Sequence, residues 1–178
     1  MIMYKKIIIN SLLIFCSIIF QIGFIYGLPI GLKNLNVVLV AIIFILGFNS
    51  FELALGWAVG AGILLDIYLF MPFGVNTISL IASLTLINFL LANFFTNRSL
   101  YSFLLLILIT TISFNFSIIL LNYLVSSFSE RKFDISLNLN LLINQLSGIL
   151  LNFICVIVVF YLLSFLSERY KPVFLKSK

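Results

Sequence analysis

Residues 51–76 read FELALGWAVGAGILLDIYLFMPFGVN, and the reading of this stretch decides the fold. From Phe51 to Phe70 it is an apolar run of about 20 residues, the length that crosses a bilayer at 1.5 Å per residue. Two acids, Glu52 and Asp66, and three glycines, Gly56, Gly60 and Gly62, interrupt it. The hexapeptide Met71-Pro72-Phe73-Gly74-Val75-Asn76 then ends it. Pro72 cannot continue a helical ladder and Gly74 permits a turn conformation, so the stretch predicts a spanning helix closed by a tight connection at the membrane surface.

The same pattern continues in both directions. Apolar runs over residues 7–26, 37–48, 77–95, 100–125 and 141–166 predict five further spans, separated by short polar links. The run at 37–48 is the weakest of them: a short or tilted helix, or a broken one that continues into the next segment. The first run follows Lys5 and Lys6, as a secretory signal would. At about 20 residues it exceeds a signal core of about 7–15 residues, and bulky Phe24, Ile25 and Tyr26 stand where small residues would allow cleavage. It therefore reads as the first span. The longest link, Ser129 to Asn140, ends in an alternating Ser136, Asn138, Asn140 stretch suited to lying along the interface.

Composition agrees. Of 178 residues 63% are hydrophobic and 8% charged, with mean hydropathy +1.31, whereas a soluble domain carries roughly 25% charged residues. Six spans fill the chain and leave no room for a separate soluble domain, so the expected fold is one all-α transmembrane domain, a six-helix bundle over residues 1–178. The net charge of +5 sits at the chain ends and in the links, which is a topology signal and leaves no basic surface for nucleic acid. Cys16 and Cys155 are isolated in apolar runs, and there is no His. No disulfide framework, metal site, cofactor motif or catalytic set is legible, and an enzyme is not expected.

Lys/Arg bias sets the expected orientation. With six spans Lys5, Lys6, Arg98, Arg169, Lys171, Lys176 and Lys178 share one side, against Lys33, Arg131 and Lys132 on the other. Both termini are then cytoplasmic; five spans would force one lysine-bearing end outside.

Within residues 51–70, Glu52, Gly56 and Gly60 recur every four positions, as do Ala58, Gly62 and Asp66. Glu52 and Asp66 lie about 40° apart around the helix and about 21 Å apart along it. Gly56-x-x-x-Gly60 and Ala58-x-x-x-Gly62 let another backbone approach closely, either inside this bundle or from another chain, including a second copy in a homodimer. Asp66, near the outer end, either reaches water, caps the Pro72-Phe73-Gly74 turn, grips a partner or faces a transported cation. If it grips a partner, Asp66→Asn leaves the fold intact and weakens binding, and Gly60→Leu is the harsher change. The last span carries Asn144, Gly148 and Asn152 at spacing four beside Gln145 and Ser147, a polar stripe expected to hydrogen-bond between helices. Thr110, Thr111, Ser113, Asn115, Ser117 and Asn122 form a less regular one.

Gly60 to Asn76 resembles the signature stretch of the rod shape-determining MreD family: a glycine-bearing helix, an apolar pair, an aspartate, then Pro-Phe-Gly and a small or polar residue before another apolar helix. The motif carries over to Gly62, Asp66, Pro72, Phe73, Gly74 and Asn76; Phe70 and Met71 depart from it where many relatives have a small residue before the proline. The likeness is specific over about 25 residues and generic elsewhere. It implies a non-catalytic scaffold of the bacterial elongation machinery in the cytoplasmic membrane. Such a scaffold contacts membrane lipid and the transmembrane helix of an MreC-like bitopic protein, and through that protein MreB and the cell-wall synthases. The MreD fold is similar to that of the substrate-binding subunits of energy-coupling-factor vitamin transporters, which supply the alternative function. Such a subunit needs a polar pocket near its outer face, and the outer links here are short and poor in Trp, Arg and His. A plain assembly protein of the membrane, unrelated to the cell wall, is the third reading.

Overall fold

The computed structural model describes residues 2–29, 31–69, 72–94, 99–128 and 139–170. Helix α1 (Ile2–Ile19) runs on into a π-helical segment, Phe20–Ile25, and a short 3₁₀ turn, Leu32–Asn34, follows Gly31. Then come α2 (Val37–Phe48), α3 (Phe51–Tyr68), α4 (Val75–Asn93), α5 (Leu100–Phe128) and α6 (Leu139–Tyr170). No strand occurs among the described residues. Five helical stretches are long and apolar enough to cross a membrane: Ile7–Ile25, Phe51–Tyr68, Val75–Asn93, Leu100–Ser127 and Ile143–Phe165. The protein is a multi-pass, all-helical membrane protein.

Local chemistry sets the helix starts. The Asn36 side chain accepts from the Leu39 amide, and the Ser50 hydroxyl from the Leu53 amide, so both satisfy donors that a helix start leaves open. Helix α4 begins at Val75, two residues before the expected Thr77, because Gly74 turns the chain at φ +98°. Helix α5 runs three residues past the expected 125, and α6 begins at Leu139, so the end of the supposed interfacial stretch is already helical. At 29 and 32 residues these two helices measure about 44 and 48 Å. A hydrocarbon core of about 30 Å requires them to tilt or to project beyond it. The rest of the 129–140 link, Arg98, Phe70, Met71 and the basic tail from Lys171 lie outside the described residues.

The 12-residue α2 is the centre of the bundle. It is apolar on every side and packs against α3, α4, α5 and α6 with Val38, Leu39, Ile42 and Ile43 buried, while Val37, Ala41 and Ile45 form a half-buried face. The span weakest in the sequence for its shortness is thus mostly, though not wholly, covered by the other helices. Its C-terminal end closes on an aromatic stack in which Phe103 lies 4.9 Å from Phe44 and 5.5 Å from Phe48 between ring centroids. A Cβ on Gly47 would lie 2.7 Å from the Phe103 ring, so only glycine leaves the ring its place. Helix α1 is peripheral: Ile14 and Ile18 pack inward, while Ile8, Leu12 and Phe15 are exposed, the face expected toward lipid.

Candidate functional site

The motif stretch folds into the α3–α4 hairpin, and its centre is the Asp66 carboxylate, only 2% exposed. Oδ1 accepts from the Asn76 amide at 2.7 Å and from Asn76 Nδ2 at 3.0 Å. Oδ2 accepts from the Gly74 amide at 2.9 Å, the Thr77 hydroxyl at 2.7 Å and the Thr77 amide at 3.3 Å. Gly74, Asn76 and Thr77 belong to the first turn of α4, whose amides have no intrahelical acceptor and carry the positive end of the helix dipole. Asp66 thus caps a helix other than its own. Five donors fill the acceptor capacity of a carboxylate and offset the cost of burying its charge. Of the readings open in the sequence, the geometry is that of the cap.

One turn earlier, a Cβ on Gly62 would lie 2.5 Å from the Thr77 Cα. Glycine at 62 is what lets α3 approach α4 closely enough for Asp66, four residues on, to reach the helix start. Asn76 is buried with Asp66, and Pro72 accepts from the Val75 amide at 3.2 Å to close the turn. Phe73, at the tip, is 74% exposed.

The two small-residue pairs separate. Ala58 and Gly62 are buried inside the bundle. Gly60 faces Ile14 of α1, with its absent Cβ 3.4 Å from Ile14 Cδ1, whereas Gly56 has open space around it and packs against nothing. Beside them the Trp57 indole donates to Asn10 of α1 at 3.3 Å. Glu52, in the first turn of α3, is exposed and takes no part in the Asp66 cluster.

A second polar assembly pins the connection between α1 and α2. Gln21 Nε2 donates to the Leu35 carbonyl at 2.7 Å, and its Oε1 accepts from the Val37 amide at 2.9 Å. Asn34 Nδ2 donates to the Asn144 carbonyl and to the Ser147 hydroxyl, at 3.1 and 2.7 Å. The Asn36 amide donates to Asn152 Oδ1 at 2.9 Å, and Asn152 Nδ2 donates to the Thr111 hydroxyl at 3.1 Å. The Asn144-Gly148-Asn152 stripe therefore serves chiefly this connection, with one bond to α5. Gly148 makes room for it: a Cβ there would lie 3.2 Å from the Asn34 carbonyl oxygen. Sequence reasoning missed Gln21, Asn34 and Asn36. The available signal was a lone amide near the end of an apolar run, followed by two asparagines at a turn. Beside the pinned connection lies a cavity of about 250 Å³.

Comparison of the chain with protein-family models, with curated proteins and with solved structures gave no match.

Proposed function

We propose that the protein is an MreD-like, non-catalytic scaffold of the bacterial cell-elongation machinery. It would be a six-span bundle in the cytoplasmic membrane with both termini cytoplasmic, related in architecture to the substrate-binding subunits of energy-coupling-factor transporters. The observation that carries the proposal is the turn at 72–74. Asp66 accepts from the Gly74 amide, Gly62 lets the two helices pack closely, and the turn presents Phe73 74% exposed. A fixed apolar knob at a helix junction suits contact with a partner's transmembrane helix, because the ordering entropy is already spent in the free protein. Partner contact would set the height and rotation of an MreC-like helix, and through it the position of MreB and the peptidoglycan synthases.

The test is purification of the tagged protein in mild detergent from its own host, with co-purifying chains identified by mass spectrometry. The expected result is a single-span coiled-coil protein together with cell-wall synthases, cross-linking through a photoreactive residue at position 73. Recovery of ATPase subunits with a coupling membrane protein overturns the scaffold reading in favour of a vitamin-uptake subunit. Orientation is checked separately: Lys33→Cys should react with an impermeant thiol reagent from outside intact cells, and Lys5→Cys only after lysis, in a background with Cys16 and Cys155 replaced.

A further inference from the structure

The cavity beside the α1–α2 connection has two kinds of polar wall. The Gln21, Asn34 and Asn152 side chains are engaged in holding the connection in place. Asn115 of α5 and the Asn144 and Gln145 side chains of α6 also line it, and they make no hydrogen bond to any described residue. Three half-buried amides converge on one space, each offering a donor pair and an acceptor. Among the described residues the only charged one lining it is Lys33, and none is an acid. The first turn of α2 borders it at Asn36 and Leu39, but the Asn36, Val37 and Leu39 amides there are already taken by Asn152, Gln21 and the Asn36 side chain. Phe114 supplies an apolar wall.

Apolar walls with a few convergent polar groups are the anatomy of a small-molecule site, and about 250 Å³ lies just below the range of roughly 300–1,000 Å³ that accommodates drug-sized ligands. Lys33, with no acid beside it among the described lining residues, selects for negative charge, while the amides select for a body rich in hydrogen-bonding atoms. We propose that this cavity binds a small oxyanion, a carboxylate or phosphate carried on an amide- or hydroxyl-bearing body, with Lys33 holding the anion and Asn115, Asn144 and Gln145 its neutral heteroatoms. The same chemistry is found in free solutes and in anionic lipid headgroups. The site rests on the cavity alone and stands whether or not the chain is a cell-shape scaffold.

The test uses the full chain in nanodiscs of phosphatidylcholine, with the thermal midpoint followed against four probes: glycerol phosphate, N-acetylalanine, and their neutral counterparts glycerol and N-acetylalanine amide. At least one anion should raise the midpoint at a concentration about tenfold below its neutral counterpart, the size of one charge-assisted hydrogen bond. Lys33→Gln, at an exposed position, should erase that preference without changing the probe-free midpoint. The double variant Asn115→Leu, Gln145→Leu should lose the response altogether. No shift with either anion, or an undiminished preference in Lys33→Gln, overturns the proposal. Repeating the titration in phosphatidylglycerol nanodiscs separates the sources: loss of the response means that the lipid headgroup already fills the cavity, and an unchanged response means that the site serves a free solute.

Discussion

The Cβ that Gly62 lacks would stand 2.5 Å from the Cα of Thr77, and the Thr77 hydroxyl donates to Asp66, one turn along from Gly62. Close approach and capping are therefore a single device: the glycine sets the distance between two helices, and the aspartate uses that distance to satisfy the start of the second one. The hairpin that results is rigid because each half depends on the other.

Gly62→Ala should destabilise the protein by about 1–3 kcal/mol, the usual penalty for overpacking against a backbone that cannot move aside. Gly60→Ala, which meets only the flexible end of Ile14 at 3.4 Å, should melt close to wild type. Thermal midpoints in one detergent compare the two, and equal losses would refute the close-approach argument. Gly56→Ala, in open space, serves as the control.

Asp66→Asn should not be silent, contrary to the expectation from sequence that it spares the fold. An amide in place of the carboxylate turns its NH2 toward the donors of Asn76 or of Gly74 and Thr77, and the charge at the helix start is lost. A cost of about 1–3 kcal/mol follows, with Asp66→Ala at least as costly. Amide hydrogen exchange at Asn76 and Thr77 should accelerate together. A wild-type melting curve for Asp66→Asn would mean that the carboxylate is not a structural cap.

Gln21→Met should release the α1–α2 connection. The Leu35 carbonyl and the Val37 amide, both half-buried, lose their partners, and each costs up to about 1–3 kcal/mol if water does not replace them. Limited proteolysis after Lys33 should speed up while the α3–α4 hairpin stays protected. Protection unchanged at Lys33 would show that the other amides hold the connection unaided.

Gly47→Ala should cost about 1–3 kcal/mol by driving the Phe103 ring out of its stack with Phe44 and Phe48. Phe103→Leu is destabilising alone, yet in its presence the alanine at 47 should be tolerated, because the colliding ring atoms are gone. Strict additivity in this double-mutant cycle would place the cost of Gly47→Ala elsewhere.

Phe73→Ser should leave the melting curve within about 0.5 kcal/mol of wild type, since the side chain touches little of its own chain. Under the scaffold reading it should nevertheless lower recovery of the co-purifying bitopic protein. Full recovery would remove Phe73 from the partner surface.

Much of this was legible in the amino-acid sequence, and the reason is the solvent. In hydrocarbon every backbone polar group must be satisfied within its own helix, so apolar runs of sufficient length become helices wherever they occur, and Pro72 and Gly74 mark where one must stop. The order and approximate bounds of the helices, the α3–α4 turn and the grouping of Gly62 with Asp66 all follow from that constraint. Spacing along one helix cannot tell which neighbour comes near, so the sequence left Asp66 open between reaching water, capping, gripping a partner and facing a cation, and treated Gly56 and Gly62 as equals. Tertiary packing decided both, placing the start of α4 against Asp66 and leaving Gly56 open. It also placed the short apolar α2 at the centre of the bundle and joined Gln21 to residues 35–37 and Asn36 to Asn152. Hydrogen bonds between positions more than a hundred residues apart carry no periodic signal. They exist because buried amides must find partners, and which partners are within reach is a property of the folded bundle alone.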